Sequence, residues 1–151
     1  MKILLNNNSL FRALRPYNDV GFVPTMGSIH KGHLSLIERS NRTCKKTIVS
    51  IFVNPKQFNN KKDFKNYPTN IKEDIKILKK TKKVDFLYIP KFKDVYNNNK
   101  KSNIKITKKH KILCAKFRKG HFEGVLDVME RLTNLVNPKK IFMGKKDYQQ
   151  Y

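Results

Sequence analysis

The stretch Val20-Gly21-Phe22-Val23-Pro24-Thr25-Met26-Gly27-Ser28-Ile29-His30-Lys31-Gly32-His33 constrains the fold more than any other part of the chain. Its apolar run ends at Pro24, a glycine follows at Gly27, and an apolar-periodic segment opens at Leu34. That order predicts a strand over 20–24, a tight turn and a helix start, with Leu34 and Ile37 on the apolar face of a helix running to about Asn41. A helix start presents backbone N–H groups without intrahelical partners at the positive end of the peptide dipoles, so it is a natural seat for phosphate. Gly32 lets a ligand approach the backbone where a Cβ would collide. His30 and His33, three apart, share one side of the first turn. Imidazoles there can donate hydrogen bonds to phosphoryl oxygens and steady the charge that builds during transfer. The bland alternative is a pair of surface or capping histidines, which the short pattern alone does not exclude.

The remaining segments alternate in type. Residues 1–19 read as a short extended segment and an irregular, partly helical lead-in, broken by Pro16 and Asn18-Asp19. Ile48, Val49, Ile51, Phe52 and Val53 form a β-branched run suited to a strand buried on both faces. Its exit, Asn54-Pro55-Lys56-Gln57-Phe58, lies where open α/β sheets hold ligands, and amides there suit a small hydroxy acid, although on these residues alone a turn-forming Asn54 before Pro55 and a solvent-facing Gln57 is the preferred reading. Asn59 to Tyr67 reads as a surface loop, and Thr69 as the N-cap of a helix carrying Ile71, Ile75 and Leu78. Val84 to Ile89 predicts a strand stopped by Pro90. Lys91 to Asn103 reads as a surface connection with one helical turn, followed by a weak extended segment over Ile104 to Ile106. Phe122, Val125, Leu126, Met129, Leu132 and Val136 give a long apolar face ended by Asn137-Pro138, and Ile141-Phe142-Met143 a last short strand. This alternation predicts an α/β domain: a Rossmann-like, mainly parallel sheet with flanking helices.

Composition narrows the class. The chain has 151 residues, 38% hydrophobic and 30% charged, which suits one globular domain with a core of its own. No apolar run is long enough for a membrane span, and the N-terminal apolar stretch is too short for a secretory signal. Two cysteines, Cys44 and Cys114, stand far apart, which fits reduced thiols in a cytoplasmic protein rather than a disulfide framework. The net charge of +23 raises nucleic-acid binding as one explanation. The lysines, however, are spread over the whole chain without a nucleic-acid fold motif, so solvated surface lysine in a Lys-, Asn- and Ile-rich chain is the preferred reading.

Four strings, in order, resemble one family. Pro24-Thr25-Met26-Gly27-Ser28-Ile29-His30-Lys31-Gly32-His33-Leu34-Ser35-Leu36 contains the H-x-G-H signature of the nucleotidyltransferase superfamily and, at its full length, resembles the pantoate–β-alanine ligases (pantothenate synthetases). Ser50 to Phe58 resembles the family's pantoate-binding segment, Leu113 to Val125 its basic loop, and Gly144-Lys145-Lys146-Asp147-Tyr148-Gln149-Gln150 its G-E-K-D-x-Q-Q string. The resemblance implies a fold of the nucleotidyltransferase type. It implies ATP contacts by Met26, Gly27, Ser28, Ile29, His30, Lys31, Gly32, His33, Arg118, Gly144, Lys145, Lys146 and Asp147. It also implies pantoate contacts by Gln57 and Gln150 with Asn54 alongside, and catalysis by His33, His30 and Lys146. Ala115 and Lys119 replace the family's usual Gly and Pro, and Lys145 its Glu; His121 is read as a helix-start or loop-anchoring group.

The implied reaction joins pantoate and β-alanine through a pantoyl adenylate, with ATP as co-substrate, Mg2+ screening its phosphates, and a homodimer as the family's assembly. Residues 1–151 would form the nucleotide- and pantoate-binding domain. The family's smaller C-terminal domain and a Ser/Arg-containing phosphate loop would lie past Tyr151, so little or no full turnover is expected from these residues alone. Another H-x-G-H nucleotidyltransferase and a basic nucleic-acid-binding protein are the competing readings.

Overall fold

The computed structural model describes residues 1–97 and 121–144. Five strands are β1 (Lys2–Leu4), β2 (Val20–Thr25), β3 (Lys46–Ile51), β4 (Phe86–Tyr88) and β5 (Lys140–Ile141). They form one sheet in the order β1-β4-β3-β2-β5, with every pairing parallel. The longest ladder runs from Val20 opposite Lys46 to Thr25 opposite Ile51. Helices α1 (Asn7–Leu14), α2 (Lys31–Thr43), α3 (Lys61–Lys65), α4 (Ile71–Thr81), α5 (Phe92–Val95) and α6 (His121–Val136) connect the strands. The α/β reading is therefore correct.

The sheet is apolar on both faces because alternate residues serve different cores. Val20, Phe22, Ile48, Phe52 and Tyr88 pack with Leu10 and Leu14 of α1 and Val128, Leu132 and Val136 of α6. Val23, Val49, Ile51 and Leu87 pack on the opposite side with Ile37 of α2 and Leu78 of α4. Burial of each such side chain contributes about 1.5–3 kcal/mol relative to exposure. Among the described residues no helix is long and apolar enough to cross a membrane. Cys44 is a buried free thiol.

Several boundaries differ from expectation, each for a local reason. The lead-in holds a full helix, α1, because Asn6 caps it: its side chain accepts from Ser9 N at 2.9 Å while Ser9 Oγ receives Asn6 N at 3.3 Å. Helix α2 starts at Lys31, before the first apolar residue of its stripe, because His30 is its cap. The expected 59–67 loop contains α3, capped by Asn60, whose side chain accepts from Lys62 N at 2.8 Å. The cap of α4 is Asn70 rather than Thr69. Strand β4 pairs only over Phe86–Tyr88, and β5 begins one residue earlier and ends two residues earlier than Ile141–Met143. The weak segment Ile104 to Ile106 lies outside the described residues.

The strand order positions the site. From β2 the chain moves outward to β3 and β4, then crosses to the other side of β2 for β5. The order thus reverses between β2 and β5, and crevices at such a reversal, beyond the carboxyl ends of the strands, are where open α/β sheets bind ligands.

Candidate active site

The turn after β2 is held from three sides. Thr25 Oγ1 donates to Ser50 O of β3 at 2.7 Å and accepts from Gly27 N at 3.2 Å. Gly27 has φ +87° and Ser28 φ +52°, so two successive residues are left-handed, a conformation glycine takes without a Cβ penalty. Asp74, in the first turn of α4, receives Ser28 N on Oδ2 at 3.0 Å and Ile29 N on Oδ1 at 2.8 Å. Ser28 Oγ also donates to Pro68 O at 2.8 Å. A buried carboxylate accepting two amides is a strong restraint.

The two histidines cap the helix that follows, each through a nearby backbone amide. His30 Nδ1 accepts from Gly32 N at 3.1 Å, and His33 Nδ1 accepts from His30 N at 3.4 Å. The rings lie 4.0 Å apart at 33°. Because both Nδ1 atoms accept, the proton of each neutral ring sits on Nε2, the tautomer that can donate to an anion. The space beside Gly32 has a use other than the one expected. A Cβ there would stand 2.9 Å from His30 Cε1, so the group approaching that backbone is the His30 ring itself.

The expectation of open backbone amides also changes. The N–H groups of Gly27, Ser28, Ile29, His30 and Gly32 all have protein partners. What this helix start presents to an anion is its dipole and imidazole edges rather than a row of bare amides.

The exit of β3 meets this turn. Pro55–Gln57 is a 3₁₀ turn, and Gln57, only 6% exposed, brings Nε2 to 2.7 Å from Met26 Sδ. Its carbonyl oxygen lies 2.6 Å from His121 Nδ1, so His121 is the loop-anchoring group expected of it. Asn54, expected alongside the substrate, is fully buried. Its Nδ2 donates to Gly124 O at 2.9 Å, and its Oδ1 accepts from Lys56 N at 3.2 Å and Tyr96 Oη at 3.0 Å. Asn54 thereby ties the exit loop to α5's end and α6. A Cβ on Gly124 would lie 2.5 Å from Lys56 O, which shows how closely α6 supports this loop. Burial pushes the Tyr96 phenol well above its usual range, and Asp127 adds to the shift. Burial, then Asp74, likewise raises the Tyr67 phenol.

A cavity of about 270 Å³ opens at these strand ends, lined in part by Met26, Gly27, Phe52, Pro55, Phe64 and Asp74. Gly144, half-buried, follows β5 beside β2, at the same end of the parallel sheet. Arg118, Lys145, Lys146, Asp147 and Gln150 lie outside the described residues. Sequence reading missed Asp74, Gly124 and Tyr96 as site-building groups. The one available signal was an acidic residue between Ile71 and Leu78, on the apolar side of α4.

A profile of the pantoate-beta-alanine ligase family matches residues 4–151. The chain belongs to that family. Pantothenate synthetases from Pseudothermotoga lettingae and Leptospira interrogans are 43% and 49% identical to it, covering 93% and 87% of this chain but 50% and 46% of their own lengths. The chain thus spans about half the length of the curated relatives it matches. The crystal structure of the Francisella tularensis pantoate-beta-alanine ligase, complexed with beta-gamma ATP and beta-alanine, superposes with a TM-score of 0.92 at 40% identity, covering 99% of this chain and 59% of that one. Pantothenate synthetase from Thermus thermophilus gives a TM-score of 0.91 at 37% identity over 99% of this chain and 54% of its own.

Proposed function

We propose that this pantoate–β-alanine ligase family chain binds ATP and pantoate and supports formation of pantoyl adenylate, the first half of pantothenate synthesis. The observation that carries this reading is the contact between Met26, in the H-x-G-H turn, and Gln57, in the β3 exit. It brings an imidazole-edged helix start and a buried amide to one end of the sheet.

In this reading the triphosphate lies over the start of α2, where His30 and His33 donate from Nε2. Pantoate sits beside Gln57, its methyl groups against the apolar walls near Met26 and Phe52. The pantoate carboxylate attacks the α-phosphorus and pyrophosphate leaves. The amine of β-alanine then attacks the acyl carbon and AMP leaves. Positioning and charge stabilisation supply the catalysis, with no covalent protein intermediate. By resemblance, Arg118, Gly144, Lys145, Lys146 and Asp147 add ATP contacts and Gln150 a second amide to pantoate. Asn54 serves here as the support of the Gln57 loop rather than as a substrate contact. A cytoplasmic setting and a homodimer belong to the same proposal. Among the described residues no group of three or more His, Cys, Asp or Glu side chains can hold a metal. Mg2+ enters this reading as the counter-ion of the triphosphate, where it would supply charge screening.

The test is a pair of titrations of the chain, with ATP and with pantoate, at physiological ionic strength. His33→Ala is expected to weaken ATP by roughly 10–100-fold with little effect on pantoate, and Gln57→Ala the reverse. Unaltered binding of both ligands by both variants would reject the site.

A further inference from the structure

We propose that Asp74 is a positioning residue for the nucleotide, an internal anion that occupies the amide hollow of the 27–29 turn and directs the triphosphate onto the two imidazoles. The inference rests on the proposed ATP site. Its basis is geometric. Consecutive left-handed residues, Gly27 and Ser28, turn the N–H groups of Ser28 and Ile29 toward one point. Concavities of this kind bind anions. Here the anion is a side chain of the same protein: Asp74, 3% exposed, accepts one amide on each oxygen, at 3.0 and 2.8 Å.

With both amides taken by Asp74, the hollow offers neither N–H to a second anion. A Cβ on Gly27 would already stand 2.9 Å from Asp74 Oδ2. The same stretch of chain tethers the turn again through Ser28 Oγ to Pro68 O. A phosphate entering the cleft thus meets a negative charge at the amides and hydrogen-bond donors at the His30 and His33 rings. Asp74 holds the shape of the turn and excludes the wrong seat, so the triphosphate has one register along α2.

Two measurements on the full chain test this, using Asp74→Asn as the isosteric variant and Asp74→Ala as the vacating one. The first is amide hydrogen exchange at Ser28 and Ile29. The second is the affinity for ATP, for inorganic pyrophosphate and for pantoate, with the unfolding midpoint recorded for each variant. Asp74→Asn presents an NH2 to one of the two amides, so exchange there should accelerate at least about tenfold while the rest of α2 stays protected. ATP affinity should fall by roughly tenfold or more, because small displacements of positioning groups are costly. Pantoate affinity should fall several-fold less than ATP affinity, since Asp74 lines the same cavity but its hydrogen bonds go to the 27–29 turn and not to the Gln57 loop. Asp74→Ala should gain pyrophosphate binding reported by the Ser28 and Ile29 amides, and Asp74→Glu should restore part of the ATP affinity.

Faster exchange with unchanged ATP affinity would make Asp74 a structural anchor only and overturn the proposal. A parallel loss of ATP and pantoate binding that tracks the unfolding midpoint would overturn it equally. If the wild-type chain binds no ATP at its histidines, the ATP reading itself fails. The pyrophosphate arm then decides separately whether Asp74 keeps anions out of the turn: no gain in Asp74→Ala rejects it.

Discussion

His30 and His33 each cap a backbone amide with one edge of the ring, and the proposed phosphate contact uses the other edge. Nδ1 of each caps a backbone amide at the start of α2, while Nε2 is the edge assigned to phosphate. His30→Asn keeps a good cap without the distal donor, so stability should hold within about 0.5 kcal/mol of wild type, whereas His30→Ala should cost about 1 kcal/mol. Both should weaken ATP similarly; urea melts and ATP titrations check the pair. If the asparagine variant binds ATP as well as wild type, His30 is a cap and nothing more. The residue spacing made this pair legible, since positions three apart share a helix side. Asp74 was not legible as a partner of the turn, because periodicity shows which face of α4 is buried but not which amides, 45 and 46 positions away, it meets. The hydrogen bonds of Asn54 were illegible for a related reason. An Asn before Pro at a strand exit looks the same whether it faces a ligand or is locked between α6 and Tyr96.

At the level of elements, α6 is a brace for the β3 exit. Gly124 admits Lys56 O and Gln57 Cα where a side chain would stand, and His121 meets the Gln57 carbonyl. Gly124→Ala must displace backbone, so it should destabilise the chain by about 1–3 kcal/mol. Pantoate affinity should fall further than ATP affinity, as read by parallel titrations; an equal fall would mean the brace does not act through Gln57. Long periodic elements such as α4 and α6 were readable because their apolar stripes repeat. The short α3 was not, because its five residues rest on one Asn60 cap in a run of lysines and asparagines. The strand assignments found β3, where both faces are buried, but ran two residues past its end at Ile51, and they overshot in β4, where pairing with β1 spans three residues only.

At the scale of the whole molecule, the reversal of strand order between β2 and β5 is what gathers the site, and that order follows from no local pattern. The described structure also sets an alkaline limit on stability. Burial raises the phenols of Tyr67, Tyr88 and Tyr96, and hydrogen bonding to Asp85 raises the Lys46 ammonium. Each of these groups keeps its proton longer folded than unfolded. Their stabilisation is complete below the ordinary tyrosine value of about 10 and is lost as pH rises from there toward the raised folded values. Denaturant midpoints should therefore fall above that pH, and Tyr88→Phe should make the fall shallower; a flat profile would contradict the burial. The proposed function comes down at this scale to one end of the sheet holding a triphosphate over His30 and His33 and a small acid beside Gln57. The most direct measurement is a titration of 15N-labelled chain with ATP and then pantoate at physiological ionic strength, following imidazole and side-chain amide nitrogens. Saturable shifts of the His30 and His33 rings with ATP, then of the Gln57 amide with pantoate, are the expected result. Shifts spread over surface lysines without saturation, or saturable binding that leaves both rings unmoved, would contradict it.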